Sequence, residues 1–325
     1  MAMTTDARSA GPGKISIILP LFDRRNAGWS ALASAIGQDY PRERYEVIAV
    51  AGREPGAGAD DPAVAGMLAR CDAVVRTDLD TGDVANEIRF FQAGYERSTG
   101  DVLFFIEGHT VLEKRCCAII AAHLRGQPAA ALAWAPRINR GDSRLGELVA
   151  MHNRSHERRA AERGVFSLGA NSIITRRLFE RLGGLDLRYL RHSETALYHR
   201  ALDAGVVFGR IREPLATHYN DMSVTLWRQL VAKAGRAKFS YYSALLDRGH
   251  DLRSRVRHGV YLLANRAWAA RLLRPLCQAG GRVFLSLAMR TSGLSKALAY
   301  RMYVVALGCT DLSGFCQARI ESPKS

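Results

Sequence analysis

The chain has 325 residues, which is too long for one small module and predicts one large domain or two modest ones. Hydrophobic residues make up 48% and charged residues 24%, so the composition supports a packed core and excludes global disorder. Lys and Arg number 46 against 31 Asp and Glu, a net charge of +15. Such an excess favours a polyanionic partner, whether nucleic acid, an anionic membrane or a phosphorylated substrate.

Cysteine spacing and hydropathy argue against several other classes. None of the six cysteines forms a CxxC pair, so we expect reduced thiols in the core and no zinc site built from them. The N-terminus lacks the apolar segment of a secretory signal peptide, and we expect residues 1–13 to be a disordered leader. No apolar run approaches the roughly 18 residues of a membrane-spanning helix. We therefore expect a cytoplasmic protein.

Buried strands and helices alternate at the start of the chain. Continuous apolar and β-branched runs at residues 15–22, 45–52 and 71–77 predict strands buried on both faces of a parallel sheet. Residues 26–38 and 86–96 have helical patterns. This order predicts an α/β fold with a mixed, mostly parallel sheet flanked by helices.

A fourth strand lies in DVLFFIEGHT, residues 101–110, and ends in polar side chains. Because α/β proteins bind ligands at the carboxyl ends of parallel strands, this position is the first candidate site. A helix at 113–124 and an apolar segment at 129–138 continue the alternation. Residues 166–186 combine a strand, a short helix and a Gly-Gly turn.

The basic character is concentrated in the last third of the chain. Residues 227–319 contain 16 Lys and Arg against three acidic residues. Arginines alternate there with aromatic and aliphatic residues, which predicts helices. Two interpretations are open: the helices lie in a membrane interface with arginine on the polar face, or they pack on the rest of the protein with exposed arginines.

Four segments occur in one order between Lys14 and Tyr219: ISIILPLFDR, ERYEVIAV, AGYERSTGDVLFFIEGHT and LGANSIITRRLFERLGGLD. They resemble the family-two glycosyltransferases, which are inverting, nucleotide-sugar-dependent enzymes of the GT-A fold. The resemblance implies a Rossmann-like GT-A catalytic domain over residues 14–226 and a basic, mostly helical region over 227–325. It also implies a hexosyltransferase that moves a sugar from a nucleoside-diphosphate donor, foremost a UDP-sugar, to a hydroxyl of a lipid-linked or natural-product acceptor.

In that family the fourth strand ends in an Asp-x-Asp motif that holds a divalent cation against the donor diphosphate. The matching positions here are Glu107 and His109, and a carboxylate with an imidazole suits Mn²⁺ better than Mg²⁺. His218 lies where related enzymes often carry a histidine, so it is the third candidate metal ligand. The alternatives are that Glu107 and His109 bind the sugar or the diphosphate without metal, and that His218 is structural.

The family also places an acidic pair shortly after its GG-x-D string, and the corresponding residues here are Ser193 and Glu194. The resemblance implies that Glu194 is the general base that activates the acceptor hydroxyl. The alternative is a glutamate in the first turn of a helix, stabilised by the helix dipole, with Ser193 as the cap.

Donor contacts follow from the same resemblance. The second strand lacks the paired aspartates that recognise the base and ribose, and two alternatives are open: Glu54 or Asp78 takes that role, or the donor nucleotide differs from UDP. The predicted nucleotide-binding residues are Pro20, Leu21, Phe22, Asp23, Glu54 and Asp78. The predicted donor or acceptor contacts are Asn171, Trp134, Arg228 and Arg236. Arg176 and Arg177 are interpreted mostly as surface charge.

Two other functions are compatible with these residues. The first alternative is a non-catalytic GT-A-like protein that lost both aspartates of its motif. The second is a protein that binds nucleic acid or an anionic surface through its basic C-terminal region. No nucleic-acid-binding motif is present, so nucleic acid is the less favoured partner. For the enzyme we expect a cytoplasmic location, with peripheral contact at the inner face of the membrane.

Overall fold

The computed structural model describes residues 13–21, 28–53, 62–80, 87–127, 131–162, 172–247 and 259–322. The chain forms two compact units, each assembled from three segments. The sheet unit contains Met1–Ile138, Val165–Leu185 and Leu197–Tyr219, and the helical unit contains Asn139–Gly164, Asp186–Ala196 and Asn220–Ser325. The predicted boundary at residue 226 stays a prediction, and residues 1–12 of the predicted leader lie outside the described residues.

The strands are β1 (Ile15–Pro20), β2 (Tyr45–Ala51), β3 (Ala73–Arg76), β4 (Val102–Phe105), β5 (Thr110–Leu112), β6 (Leu132–Trp134), β7 (Arg137–Arg140), β8 (Ser172–Thr175), β9 (Phe208–Arg210) and β10 (Ala216–Tyr219). The helices are α1 (Gly28–Ile36), α2 (Pro62–Leu68), α3 (Glu87–Arg97), α4 (Cys116–Gly126), α5 (Arg144–Glu162), α6 (Arg176–Arg181), α7 (Ser193–Asp203), α8 (Val224–Asp247), α9 (Gly259–Ala264), α10 (Ala267–Thr291) and α11 (Lys296–Glu321). A 3-10 helix covers Leu187–His192. None of the described helices combines the length and the apolarity needed to cross a bilayer.

The main sheet has seven strands in the order β3-β2-β1-β4-β8-β6-β9. β1 pairs in parallel with β2 and β4, β2 with β3, and β6 with β9, whereas β8 is antiparallel to β4 and β6. A second sheet has three strands in the order β5-β10-β7. The mixed, mostly parallel sheet confirms the predicted α/β fold class.

Strand β1 shows why the sequence of this sheet is almost continuously apolar, with Ser16 as the one polar side chain of the strand. All of its residues are buried, and successive side chains point to opposite faces of a strand. Ile17 packs in a core cluster with residues of α1 and α4, whereas Ile18 packs in a second cluster with residues of α3, α6 and α7. Because helices cover both faces, no position of β1 requires a polar side chain for solvent contact.

Two predicted segments divide at polar or proline positions. The run at 101–110 ends as a strand at Phe105, after which a turn, with Thr110 N–H donating to the Glu107 carbonyl at 3.0 Å, leads into β5. The apolar segment at 129–138 separates into β6 and β7 around Pro136. Proline has no N–H to donate to a strand partner, which accounts for the interruption.

A buried carboxylate on β2 connects neighbouring segments at the N-terminal edge of the main sheet. Glu46 on β2 accepts hydrogen bonds from Ser16 Oγ at 2.6 Å, Thr99 N at 2.6 Å and Gly100 N at 3.0 Å, and it pairs with Lys14 Nζ at 2.7 Å. Burial alone would raise its pKa, but these hydrogen bonds lower the pKa of Glu46 to about 2. The charged side chain therefore stabilises the folded state through partners on β1 and on the segment before β4.

We expect Glu46→Gln to reduce the free energy of unfolding by about 2–3 kcal/mol at neutral pH. The folded-state pKa lies below the ordinary value of 4.5, so this stabilisation is present above that pH and is lost as pH falls toward 2. Urea unfolding followed by circular dichroism measures both effects. Glu43→Gln, at an exposed position beside β2, is the control. An equal loss in both variants, or a pH-independent difference between Glu46→Gln and the wild type, would contradict the assignment.

The helical unit depends on a close crossing of α8 and α11 at two glycines. A Cβ atom on Gly314 would lie 2.0 Å from the backbone oxygen of Ala232, and one on Gly235 would lie 1.9 Å from that of Asp311. Any side chain at either position forces the helices apart. The adjacent core contains aromatic side chains, among them Phe239 and Phe315 at 5.3 Å between ring centroids.

Gly314→Ala is therefore expected to lower the free energy of unfolding by about 1–3 kcal/mol, because the added methyl group cannot be accommodated without backbone movement. Gly308, also on α11, has no atom within 4 Å of its would-be Cβ. Gly308→Ala should raise stability by up to about 1 kcal/mol, because alanine favours the helix. Thermal and urea unfolding compare the two variants, and a shift of the same sign in both would refute the close crossing.

Candidate functional site

Three polar side chains of the sheet unit meet beyond the C-terminal end of β4. Glu107 follows β4 by two residues, and His109 directly precedes β5. His218 lies on β10, which pairs antiparallel to β5 with His218 opposite Thr110. Tyr219 N–H also donates to the His109 carbonyl at 3.2 Å. This pairing brings a histidine from late in the chain to the turn that carries the other two residues.

The functional atoms of these side chains converge on one point. Glu107 Oε2 lies 2.8 Å from His218 Nε2 and 3.4 Å from His109 Nε2. The two Nε2 atoms are 2.8 Å apart. Both histidines are buried, and Glu107 is partly exposed. The site is therefore open to solvent at Glu107, whereas its two histidines are buried.

Arg137, the first residue of β7, is the fourth member of the site. Its Nη1 atom lies 3.2 Å from Glu107 Oε2. Burial would raise the pKa of Glu107, but His109, His218 and Arg137 outweigh it and hold the pKa of Glu107 well below its ordinary value. The Glu107 carboxylate is thus ionised and available as a ligand at neutral pH.

The donor set fits a divalent cation. The ligand atoms of Glu107, His109 and His218 all lie within 4.8 Å of one another. Ligands of one transition ion, each about 2.1 Å from it, lie about 3.0–3.4 Å apart, close to the separations found here. One carboxylate and two imidazoles favour Mn²⁺ or a similar ion over Mg²⁺, which prefers oxygen ligands.

Sequence reasoning missed two residues near this site. Arg137 lies near the end of the predicted apolar segment at 129–138, three residues after β6, and a charged residue in such a segment was the available signal. The buried Thr110 hydroxyl has no hydrogen-bond partner among the described residues. No pattern distinguished it, because a threonine in a short β-strand is ordinary.

Several predicted donor contacts lie at the same edge of the sheet. Pro20 ends β1, Leu21 follows it, and Asp78 follows β3. Because β1, β3 and β4 are mutually parallel in direction, their carboxyl ends share the edge that carries Glu107. Arg53 donates to the Asp78 carbonyl at 3.0 Å. The predicted contacts Phe22, Asp23, Glu54 and Asn171 lie outside the described residues.

Trp134 ends β6, which runs in the same direction as β4, and its side chain is buried in the core cluster that also contains Phe105. Arg228 and Arg236 are exposed on α8 in the helical unit, and Arg236 pairs with Glu321 at 3.7 Å. The roles of these three residues in donor or acceptor binding stay predictions.

Glu194 is half-buried in the first turn of α7 and belongs to the helical unit. The Ser193 hydroxyl is buried and has no hydrogen-bond partner among the described residues, so its side chain caps no backbone N–H there. The capping alternative for Ser193 is therefore wrong. The role of Glu194 as a general base stays a prediction.

The interpretation of Arg176 as surface charge is wrong. Its guanidinium donates to the Gly100 carbonyl and to Ser98 Oγ, both at 2.8 Å, and lies 5.1 Å from the Tyr95 ring centroid. These hydrogen bonds connect α6 to the turn that leads into β4. Arg177 is exposed, as expected.

Comparison of the sequence with protein-family models and with curated proteins gives no match. Solved structures do match. A mannosyltransferase, PcManGT from Pyrobaculum calidifontis in complex with GDP-Man and Mn²⁺, has a TM-score of 0.56 at 14% identity, over 98% of this chain and 89% of that one. Residues 1–349 of S. aureus TarS in complex with UDP match with a TM-score of 0.50 at 12% identity, over 94% and 90% of the two chains.

The chain shares the fold of these two proteins. Identities of 12% and 14% establish a shared architecture, and fold similarity alone does not establish chemistry. The metal-ligand geometry described above is independent of that similarity, because it comes from this chain's own side chains.

We expect purified protein to bind Mn²⁺, and Glu107→Gln or His218→Ala to weaken binding by at least about 100-fold, since each removes a ligand. Electron paramagnetic resonance of free Mn²⁺ during titration measures the affinity. Glu113→Gln and His156→Ala, at exposed positions, are the matched controls. Equal Mn²⁺ affinity in the site variants and the controls would show that these residues do not form a metal site.

Proposed function

We propose that the chain is an inverting glycosyltransferase that moves a hexosyl group from a nucleoside-diphosphate sugar to an acceptor hydroxyl. The observation that supports it is the convergence of Glu107, His109 and His218 at the carboxyl edge of a sheet with a glycosyltransferase fold. PcManGT, which shares that fold, is described in complex with GDP-Man and Mn²⁺. A donor diphosphate and a divalent ion are therefore the ligands that this edge suits best.

The chain's own residues prepare the site for an anionic diphosphate leaving group. A bound divalent ion would neutralise charge that develops on the diphosphate oxygens. Glu107, His109 and His218 would hold that ion, the first through an ionised oxygen and the other two through imidazole nitrogens. Arg137 would offer its remaining N–H groups to the phosphate oxygens, and arginine suits that role because its donors are planar and permanently charged.

For the nucleoside we propose contacts with Pro20, Leu21 and Asp78, which share the edge of the site. UDP is the nucleotide that the sequence resemblance implies, and TarS is described in complex with UDP. PcManGT is described with a guanosine donor, so uridine and guanosine sugars are the first two donor classes to compare. For the acceptor we propose a lipid-linked or natural-product hydroxyl.

Glu194 is proposed as the general base. A base must be ionised before it accepts the proton of the acceptor hydroxyl, and the positive end of the α7 dipole favours the ionised carboxylate in the first turn. Because Glu194 is partly exposed, its carboxylate is accessible to substrate. Proton removal from the acceptor oxygen then accompanies its attack on the anomeric carbon, opposite the departing diphosphate.

A donor screen tests the proposal. We expect one UDP- or GDP-sugar with Mn²⁺ to raise the melting temperature and to release nucleoside diphosphate when acceptor is present. Glu107→Gln should abolish both signals. Glu194→Gln should keep the thermal shift and lower turnover by about 10²–10⁴-fold, whereas Asp203→Asn, at an exposed position at the other end of α7, should leave both unchanged.

Two results would count against this function. If no nucleoside diphosphate or nucleotide sugar alters the melting temperature with or without Mn²⁺, the chain does not bind the proposed donor. If a donor binds but no sugar is transferred or hydrolysed under any condition of the screen, the non-catalytic alternative is favoured. Unchanged turnover in Glu194→Gln removes that residue from its role without affecting the metal site.

A further inference from the structure

One face of α10 in the helical unit is apolar and exposed. The stripe consists of five large hydrophobic side chains that are 40–69% exposed: Trp268, Leu272, Leu276, Val283 and Leu287. The spacings of four, four, seven and four residues place them on one side of a helix. We call this set the α10 stripe. At about 1.5 Å per residue it extends for roughly 28 Å.

The opposite side of α10 is the one that packs in the protein. Cys277, Leu285 and Ala288 are buried there, and Leu285 and Ala288 belong to a core cluster with Trp227 and Tyr303. The α10 stripe is therefore not the core-facing side of the helix. Large apolar residues concentrated along one exposed face are characteristic of a surface that another phase or partner covers.

Positive charge flanks the stripe. Arg271 and Arg282 are exposed, and the helical repeat places both on the same long border of the stripe. Residues 259–320 contain eight Lys and Arg and one acidic residue, Asp311. Asp311 is buried and pairs with Lys238 at 2.5 Å, so the exposed formal charges in this part of the chain are all positive.

The turn after α10 has the same character. Leu294 is 88% exposed there. Arg290 and Lys296 are exposed on either side of it. An apolar tip between two cations suits insertion among acyl chains with the charges at the lipid phosphates.

We propose that the α10 stripe and its flanking arginines bind the surface of an anionic lipid bilayer. The stripe would enter the boundary between headgroups and acyl chains, and Arg271 and Arg282 would contact lipid phosphates. A second copy of this chain fits less well, because two such faces would bring arginines of like charge together. This surface lies on the helical unit, and its occupancy does not depend on sugar transfer.

Vesicle co-sedimentation tests this surface. We expect the protein to pellet with vesicles that contain about one third phosphatidylglycerol at least tenfold more strongly than with phosphatidylcholine vesicles, and added salt to weaken the binding. Leu276→Asp should weaken binding at least tenfold, because it places a charge in the apolar stripe. Arg271→Gln and Arg282→Gln should each weaken it about fivefold, the equivalent of roughly 1 kcal/mol per cation.

Matched controls lie in the sheet unit. Val207 is 63% exposed, and Arg212 is also exposed, so Val207→Asp and Arg212→Gln make the same chemical changes away from the stripe. Both should pellet like the wild type. Far-UV circular dichroism checks that each variant is folded, and the arginine variants keep the test decisive if Leu276→Asp does not fold.

Tryptophan fluorescence gives a direct readout of insertion. Trp268 is 59% exposed, whereas Trp134 and Trp227 are buried. Anionic vesicles should shift the emission to the blue, and Trp268→Phe should remove most of the shift while the protein still pellets. Equal binding of Leu276→Asp and Val207→Asp, or equal pelleting with neutral and anionic vesicles, would overturn the proposal. A concentration-dependent blue shift without lipid, accompanied by dimer formation, would assign the stripe to a second copy.

Discussion

The site of this protein depends on keeping one carboxylate ionised among buried groups. Glu107 lies just after the C-terminal end of β4, where it is largely removed from solvent, and burial alone would favour its protonated form. Two imidazoles and a guanidinium, each within 3.4 Å of one carboxylate oxygen, reverse the preference. Those partners come from three different strands or turns, so the short antiparallel pairing of β5 with β10 is a condition for the site and not only a detail of the fold.

The two ends of the main sheet use glutamates in different ways. Glu46, at the N-terminal edge, has backbone N–H groups, hydroxyls and a lysine as partners, and these satisfy its charge within the protein. Glu107, at the C-terminal edge, has partners that are themselves ligands for cations or anions. A closed set of donors stabilises the fold, whereas a set of convergent ligand atoms at a partly exposed position can bind something else.

The helical unit also divides its residues between packing and surface. Glycines permit α8 and α11 to approach closely, and aromatic side chains fill the adjacent core. One side of α10 takes part in the packing of this unit, whereas its other side is apolar and exposed. The sequence alone showed arginines alternating with hydrophobic residues but left two interpretations open, because helical periodicity does not identify which face a neighbour covers. The exposed fractions of Trp268, Leu272 and Leu276 decide which face is outward.

The sequence by itself determined the α/β class and the chain order of the first four strands, because strands buried on both faces are almost continuously apolar. It also placed Glu107 and His109 at a strand end, where polar residues abruptly follow such a run. It could not show that Arg137 completes the site, or that Arg176 is anchored to the turn before β4. Those facts depend on which strand lies beside which, and pairings between residues distant in the chain arise only when the whole sheet has formed.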